Sequence, residues 1–226
     1  MTQDKFDEYR LYGRRQGSPL SPRQQQLVEK LLPLVQISKC EDREKKLHPG
    51  EIFSDKFSRF HLEIGFGGAE HLVWQAQRAP DIGFIGCEPF INGVVKLLTS
   101  IEELKLDNIR VCDHDARDFL SHLPVSCIEK TYILFPDPWP KQRHRKRRFI
   151  NQTTLNQLSR VMMPGAHLCF ASDIPDYVTW VKAHIASSDC FEIIDVEPVE
   201  KPQTRYEQKA VREGRSSVYL TIACIK

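Results

Sequence analysis

The chain has 226 residues, of which 41% are hydrophobic, and a formal net charge of +2 at pH 7. This length and composition predict one folded domain with a core large enough to need neither disulfides nor a structural metal. The seven cysteines are scattered without a C-x-x-C pair, and no apolar run approaches the roughly 18 residues of a membrane helix. A disulfide scaffold, a zinc ribbon and a membrane protein are therefore disfavoured. A reducing cytoplasm is the expected compartment.

The N-terminal part of the chain differs in composition from the rest. Residues 1–21 are polar and carry several arginines and tyrosines, which agrees equally with an RNA-contacting arm and with a frayed terminus. Ser21 and Pro22 predict the start of a helix, because Ser is a favoured N-cap and Pro is favoured at the first helical position. We therefore predict a basic arm and helix over residues 1–50 and a main domain over residues 51–226.

Strand and helix patterns alternate through the main domain. Strands are predicted at 61–64, 82–87, 109–112, 130–135 and 167–171, and helices at 70–78, 92–104, 119–123, 149–163 and 176–186. Two further β-rich runs, 191–196 and 218–225, flank a polar segment without a helical pattern. The alternation predicts an α/β fold with a mostly parallel, seven-stranded sheet and helices on both faces. The last two runs predict an antiparallel C-terminal end.

Acidic residues lie at the ends of the first three predicted strands. Glu63, Glu88 and Asp115 would meet at one sheet edge, next to a glycine turn at residues 65–69 whose backbone can approach a ligand closely. Carboxylates repel a pyrophosphate but suit hydroxyls, an amino group and a sulfonium, all of which S-adenosylmethionine carries. The turn has neither the P-loop lysine nor the G-x-G-x-x-G spacing. A nicotinamide dehydrogenase is therefore the weaker alternative.

The segment that follows the fourth predicted strand combines three unlike features. Prolines at 136, 138 and 140 end the strand and hold Asp137 and Trp139 at the sheet edge. Residues 141–148 then carry six permanent cations in eight positions, which predicts a phosphate-binding surface beside an acidic and aromatic pocket edge. The alternative is a proline-rich surface turn followed by a solvated basic helix start. Trp139 would either stack on a ring of a ligand or serve as a core or lid aromatic.

Seven short segments carry a resemblance to a known family. They are RRQG at 14–17, EIGFG at 63–67, GCE at 86–88, DA at 115–116, FPDPWPK at 135–141, SD at 172–173 and TRYE at 204–207. On these segments the chain resembles bacterial tRNA (guanine-N7-)-methyltransferases of the TrmB type, from about Tyr12 to the C terminus. The resemblance implies a Rossmann-like class I S-adenosylmethionine-dependent methyltransferase fold. It also implies a guanine of the tRNA variable loop as methyl acceptor.

The resemblance also implies roles for individual residues. Asp137 would be the catalytic or cofactor-adjacent acid. Cofactor contacts would be made by Glu63, Gly65, Gly67, Glu88, Asp115 and Asp137. Substrate contacts would be made by Lys141, Asp173, Thr204, Arg205, Tyr206 and Glu207. Apart from the resemblance, the charge of the basic run predicts that the RNA backbone is bound by Arg143, Arg145, Lys146, Arg147 and Arg148. S-adenosylmethionine is the expected methyl donor and tRNA the expected partner, with no metal, no membrane and no obligate protein partner.

The chain departs from the family pattern at two positions, and some residues have simpler interpretations. Ala69 stands where the family turn usually has a third glycine, and Pro89 where it has an aliphatic residue. Without the resemblance, Asp173 would be interpreted as a helix N-cap, and residues 204–207 as a plain loop between β runs.

The chemistry of guanine N7 suits an acid held next to the acceptor. N7 has a free lone pair and no proton, so methyl transfer needs in-line alignment rather than a general base. The product is a cationic purine, and a carboxylate such as Asp137 would stabilise the developing charge. Asp137 would alternatively accept hydrogen bonds from N1 and N2 of the base. Two other functions stay open: methylation of an exocyclic amine, as Asp-Pro-Pro-aromatic motifs perform, and RNA binding without catalysis.

Overall fold

A mixed β-sheet forms the centre of the computed structural model, which describes Gly13, residues 15–39, Asp42, residues 44–195 and residues 204–226. The strands are β1 Phe60–Ile64, β2 Gly83–Cys87, β3 Ile109–Cys112, β4 Ile128–Leu134, β5 Met162–Ser172, β6 Phe191–Ile194 and β7 Val218–Cys224. Within the described residues they form one seven-stranded sheet of order β3-β2-β1-β4-β5-β7-β6. Strands β1 to β5 are parallel, and β7 is antiparallel to both of its neighbours. The predicted sheet, including its antiparallel C-terminal end, is confirmed.

Helices cover both faces of this sheet. They are α1 Pro22–Lys30, α2 Leu32–Val35, α3 Pro49–Ile52, α4 Glu70–Arg78, α5 Ile91–Leu104, α6 Ala116–His122, α7 Gln152–Val161, α8 Pro175–Ala186 and α9 Arg205–Arg212. Successive residues of β2 point to opposite faces and belong to different buried clusters. Phe84 packs with Leu72 of α4, while Ile85 belongs to the cluster that contains Leu158 of α7. The alternation of strands and helices in the sequence thus corresponds to a three-layer fold.

The strand order fixes where a ligand can bind. β1 lies between β2 and β4, so the chain leaves β1 towards one side of the sheet and later returns to its other side. In open α/β sheets, ligands bind beyond the carboxyl ends of the strands at such a switch point. The glycine turn after β1 and the proline-rich loop after β4 meet at this edge.

Helix α1 begins where the sequence predicts. Ser21 accepts a hydrogen bond from the backbone N–H of Gln24 at 3.3 Å, and the Gln24 side chain accepts one from the N–H of Ser21 at 2.9 Å. This reciprocal capping box satisfies two of the helix's free N–H groups. Most of the predicted basic arm, including Arg14, lies outside the described residues, as do Cys40 and Val196.

The helix predicted over residues 149–163 is wrong at both ends. It begins at Gln152, because Asn151 caps it and accepts a hydrogen bond from the N–H of Thr154 at 3.1 Å. It ends at Val161, and Met162 already pairs with Ile128 as the first residue of β5. The pairing with β4 then shifts register around Gly165, whose φ of 77° only glycine adopts without strain. Pro164 and Gly165, directly after the predicted helix, therefore lie at an irregularity inside β5 and do not end a helix.

The polar segment between the last two strands contains a helix that the sequence analysis missed. Thr204 is its N-cap and accepts a hydrogen bond from the N–H of Glu207 at 3.2 Å. Within α9, Ala210 alone is buried among the described side chains. The prediction that residues 204–207 form a plain loop is thus corrected to the first turn of a helix.

The described cysteines lie at different depths in the fold. Cys87, Cys112 and Cys224 are buried and free, as core residues would be, while Cys169 is partly exposed. In the part of the chain that the structure describes, no helix is long and apolar enough to cross a bilayer.

Candidate active site

A cavity of about 490 Å³ opens at the carboxyl ends of β1, β2 and β4. Its volume falls within the range of about 300–1,000 Å³ that small-molecule sites have. The lining comes from many parts of the chain, which are Gly13, the glycine turn, the residues after β2 with the start of α5, the residues after β3, the proline-rich loop, residues 147–151 and the start of α9. The site therefore depends on the assembled sheet edge and not on one local motif.

The glycine turn brings backbone rather than side chains to the cavity. Gly65 and Gly67 have φ values of 75° and 55°, in the left-handed region that glycine adopts freely. Ala69, which replaces a usual third glycine, also adopts this conformation, with φ 67°, at a cost of roughly 1–2 kcal/mol. Helix α5 packs tightly on the turn, since a Cβ added to Gly93 would lie 2.3 Å from the Gly67 carbonyl oxygen.

Glu88 connects the end of β2 to the glycine turn. Its carboxylate accepts hydrogen bonds from the N–H of Gly67 at 2.8 Å and from the N–H of Phe90 at 3.0 Å. Burial raises the pKa of Glu88, and these two hydrogen bonds oppose the shift. A carboxylate has about four acceptor positions, so two remain for hydroxyl donors in the cavity.

Asp115 lines the cavity beyond β3. It caps α6 by accepting a hydrogen bond from the N–H of Arg117 at 2.9 Å, and it binds the Arg117 guanidinium through both carboxylate oxygens. A bidentate pair of this kind fixes the orientation of the carboxylate. Neither Arg117 nor the neighbouring His114, which also lines the cavity, was predicted from the sequence.

Asp137 lies at the mouth of the cavity in a loop with unusual backbone angles. The flanking Phe135 and Trp139 have φ values of 52° and 42°, which non-glycine residues adopt only under strain. Partial desolvation raises the pKa of the Asp137 carboxyl. The Arg147 guanidinium lies 5.0 Å from the centre of the Trp139 ring, which itself lines the cavity.

Glu63 does not share the cavity with the other predicted acids. It is buried in β1, where its Oε2 lies 2.7 Å from Nδ1 of His71. Gln75 is near the same imidazole, and it donates a hydrogen bond to the Tyr132 hydroxyl at 2.8 Å. The geometry thus brings Glu88 and Asp115 to the cavity, while the cofactor role of Glu63 stays a prediction.

Two of the four residues at 204–207 line the cavity, and the other two do not. Arg205 and Tyr206 line the cavity, whereas Thr204 and Glu207 lie outside its lining. The Arg205 guanidinium is 2.7 Å from the Glu70 carboxylate at the start of α4. The Tyr206 ring covers the glycine turn, since a Cβ added at Gly67 would lie 3.1 Å from it.

Two other predicted substrate residues, Lys141 and Asp173, also lie outside the lining. Lys141 is exposed directly before the basic 3₁₀ helix Gln142–Arg147. Asp173 accepts a hydrogen bond from the Arg215 guanidinium at 2.7 Å. Its alternative interpretation as a helix N-cap does not hold, because the N-cap of α8 is Ile174.

The basic stretch presents only some of its cations to solvent. Arg143 and Lys146 are exposed, while Arg145 pairs with Asp176 at 2.7 Å. Arg148 was expected on the same phosphate-binding surface, but its side chain has no exposed area. We correct that expectation, because the buried guanidinium cannot reach a phosphate in this structure.

The N-terminal segment next to the cavity also escaped the sequence analysis. The Asn92 side chain accepts a hydrogen bond from the N–H of Gly17 at 2.7 Å and donates one to the Ser18 carbonyl at 2.9 Å. The N–H of Ile91 donates to the Arg15 carbonyl at 3.0 Å. The RRQG segment of the resemblance was the one signal that pointed to this region.

Comparison with known proteins gives the family. A family model described as a putative methyltransferase matches residues 58–220. A tRNA (guanine-N(7)-)-methyltransferase of Rhizobium meliloti is 44% identical over 216 residues, which cover 92% of each chain. The enzyme of the same name from Agrobacterium fabrum is 44% identical over 220 residues and 93% of each chain. This chain belongs to the tRNA (guanine-N(7)-)-methyltransferase family. The resemblance seen in the sequence is thereby confirmed.

Solved structures support the class I methyltransferase fold. The 16S rRNA methyltransferase KamB superimposes with a TM-score of 0.58 at 16% identity, over 78% of this chain and 92% of that one. A 16S rRNA (adenine(1408)-N(1))-methyltransferase with cosubstrate SAM, from Catenulisporales acidiphilia, gives 0.55 at 16% identity, over 80% and 93%. The predicted Rossmann-like class I fold is confirmed.

The cavity residues of this methyltransferase fit S-adenosylmethionine. Glu88 has free acceptor positions for ribose hydroxyls, and the bare backbone at Gly65, where an added Cβ would meet nothing within 4 Å, leaves room for close approach. Asp137 places a negative charge at the mouth, where a sulfonium would be attracted. Among the described ranges, no group of three His, Cys, Asp or Glu side chains is arranged to hold a metal ion.

Proposed function

We propose that this protein transfers the methyl group of S-adenosylmethionine to N7 of a guanine in the variable loop of tRNA, forming 7-methylguanosine. The observation that carries the proposal is that Asp137 lines the cavity and is followed in the chain by the exposed cations Lys141, Arg143 and Lys146. The family relatives carry the matching name. One site can therefore hold the donor, the reacting base and the RNA backbone together.

In this proposal Asp137 stabilises the positive charge that develops on the purine, and it does not accept or donate a proton. The N7 lone pair forms the new bond to the methyl carbon, and the electrons of the broken sulfur–carbon bond stay on sulfur. The positive charge moves from sulfur to the purine. A carboxylate fixed by flanking prolines stabilises that charge without having to reorganise during the reaction. No base is required, because N7 bears no proton.

The exposed cations would bind the tRNA backbone. Lys141, Arg143 and Lys146 project from a stretch next to the cavity mouth and would neutralise phosphates there. Such contacts position the RNA but do not read its sequence. Selection of one guanine would come from tRNA shape, with the base unstacked into the cavity.

The remaining roles follow the resemblance. Cofactor contacts are proposed for Glu63, Gly65, Gly67, Glu88 and Asp115. Substrate contacts are proposed for Lys141, Asp173 and Thr204 to Glu207. We place the reaction in the cytoplasm, without an obligate protein partner.

Mapping the methylated atom tests the proposal. The protein is incubated with unmodified tRNA and methyl-labelled S-adenosylmethionine, and the RNA is digested to nucleosides. We expect the label in 7-methylguanosine. A matched tRNA with 7-deazaguanosine at the variable-loop position has no N7 acceptor and should take up none.

Other outcomes would overturn parts of the proposal. Label in N2-methylguanosine would show that the exocyclic amine is the acceptor. Label that persists in the 7-deazaguanosine tRNA would show that the methyl group is added at a position other than N7 of the variable-loop guanine. Tight tRNA binding without any label would leave an RNA-binding protein without catalysis.

A further inference from the structure

Arg148 is a buried arginine in a stretch that otherwise presents cations to solvent. Its side chain has no exposed area, and it is among the largest fully buried side chains in the described part of the chain. Removing a guanidinium from water is costly unless charge and hydrogen-bond partners replace the solvent. Its contacts therefore show what the buried side chain holds together.

Those contacts come from two different parts of the molecule. On one side, the guanidinium forms an ion pair with Asp176 and lies 4.9 Å from the ring centre of Tyr177 and 5.2 Å from that of Trp180, all in α8. On the other side, Nε donates a hydrogen bond to the Pro138 carbonyl oxygen at 2.8 Å. Arg148 thus connects a core helix to the residue next to Asp137.

The proline-rich loop needs such an external support. Among residues 136–140, only Asp137 and Trp139 carry a backbone N–H, so the loop can donate few hydrogen bonds of its own. Strained positive-φ residues flank Asp137 at Phe135 and Trp139. Backbone of this kind persists only where its surroundings fix it. The carbonyl of Pro138, immediately after Asp137, is held by the buried guanidinium.

We propose that Arg148 is a positioning residue that fixes the Asp137 carboxylate at the cavity mouth through the Pro138 carbonyl. The inference rests on the proposed role of Asp137 in methyl transfer. Lysine cannot reproduce it, because a single ammonium lacks the planar fork that reaches Asp176 and Pro138 together. Arg148 therefore affects the rate of the reaction without touching the tRNA.

The first test is the Arg148→Lys variant in steady-state and single-turnover assays. A misplacement of about 1 Å can cost about 100-fold in rate, so we expect kcat to fall about 10- to 100-fold. The KM values for tRNA and S-adenosylmethionine should stay within about threefold, because the interaction acts on the transition state. A kcat equal to that of the wild type would overturn the proposal.

Arg160→Lys is the matched control. Arg160 also donates to backbone carbonyls, those of Leu120 and Leu123, but it is not part of the cavity lining. We expect a lower Tm for this variant, with kcat within about twofold of the wild type. If kcat of the two variants falls in proportion to Tm, Arg148 is only a structural residue and the proposal fails.

A double variant tests whether Arg148 acts through Asp137. Residues that act as a unit have non-additive effects, so Arg148→Lys should cost nothing further in an Asp137→Ala background. A further loss of the same size would show that the two residues act independently and would contradict the proposal.

If Arg148→Lys does not fold, Pro138→Gly takes its place, because this change keeps the backbone carbonyl but makes the loop more flexible. Its kcat should fall with the same non-additivity, and an unchanged kcat would equally overturn the proposal.

The assay also separates this inference from the proposed function. A wild-type protein that forms no 7-methylguanosine would refute the function itself. A wild type that is active together with an equally fast Asp137→Ala would refute the role of Asp137. An active wild type, a slow Asp137→Ala and a fast Arg148→Lys would refute the Arg148 inference alone.

Discussion

At the scale of single residues, the cavity holds carboxylates whose protonation is shifted by their surroundings. Burial raises the pKa of Glu88, and partial desolvation raises that of Asp137. Both groups therefore hold a proton more readily in the unliganded protein than in an unfolded chain. A ligand that needs their ionised forms must displace those protons, so its affinity depends on pH.

Because the pKa values of both carboxyl groups are raised, we expect cofactor binding to depend on pH. We expect the affinity for S-adenosylmethionine to fall as the pH is lowered, with the decline beginning above the ordinary glutamate pKa of about 4.3. Calorimetric titration between neutral and acidic pH would measure it. Glu88→Gln should bind more weakly and with a flatter pH dependence. A constant wild-type affinity down to the ordinary glutamate pKa would contradict the assignment of Glu88.

The positions of individual site residues were only partly predictable from the sequence. Glu88 and Asp137 lie at the cavity as expected, because strand ends and prolines constrain where they lie. Arg148 was misplaced, because a run of cations does not show which one turns towards the core, and only the folded α8 supplies its carboxylate and aromatic partners. Glu63 likewise lies at the end of its strand, as predicted, but its carboxylate contacts the buried imidazole of His71 and does not line the cavity.

At the scale of elements, residues 15–18 of the N-terminal segment are joined to the start of α5. Asn92 bonds to both Gly17 and Ser18, the Ile91 N–H donates to the Arg15 carbonyl, and Gly13 borders the cavity near Asp137. A segment held by such local bonds opens more readily than the sheet.

Asn92→Ala should release this segment without unfolding the domain. Both side-chain bonds would be lost, so we expect trypsin to cut the Arg15–Gln16 bond about 30-fold faster, in line with a local opening equilibrium shifted by about 1 kcal/mol for each of the two bonds. Mass spectrometry of the timed digest identifies the cut. Asn108→Ala is the control, because that asparagine bonds to carbonyls between α4 and β2, away from the segment. Equal cleavage of wild type and Asn92→Ala would contradict the interpretation.

Most elements with a clear apolar pattern were predicted to within about one residue, and a polar helix was not predicted at all. Helices α4 and α5 follow their patterns within one residue at each end. Helix α9 was missed because it has eight residues and buries only Ala210, so the sequence shows a polar stretch without a hydrophobic stripe. Its contacts with the rest of the fold include the Arg205–Glu70 ion pair, whose partners lie far apart in the chain.

At the scale of the whole molecule, charge is distributed unevenly although the net charge is only +2. The exposed cations Lys141, Arg143 and Lys146 form a local positive surface in the chain after Asp137, while the cavity lining combines three acids with basic residues such as Arg117 and Arg205. A local positive surface can bind an RNA backbone although the net charge is small.

The salt dependence of tRNA binding measures how many cations take part. Each neutralised phosphate contributes about 0.7–0.9 to the slope of log affinity against log salt concentration. Changing Lys141, Arg143 and Lys146 together to Gln should therefore reduce that slope by about 2–3. The control variant changes three exposed lysines elsewhere, Lys30, Lys105 and Lys182. An unchanged slope in the first variant would show that tRNA binds on another face.

The most direct test of the account is the single-turnover rate of Asp137→Asn, measured at saturating S-adenosylmethionine beside the Kd for tRNA. Asparagine keeps the shape of the side chain but removes the charge that we assign to stabilising the cationic purine. We expect the rate of 7-methylguanosine formation to fall by about 100-fold or more, as when a preorganised electrostatic group is removed from other active sites, with the Kd within about threefold. A rate close to that of the wild type would contradict the role of Asp137, and a rate loss that merely follows weaker tRNA binding would make it a binding residue.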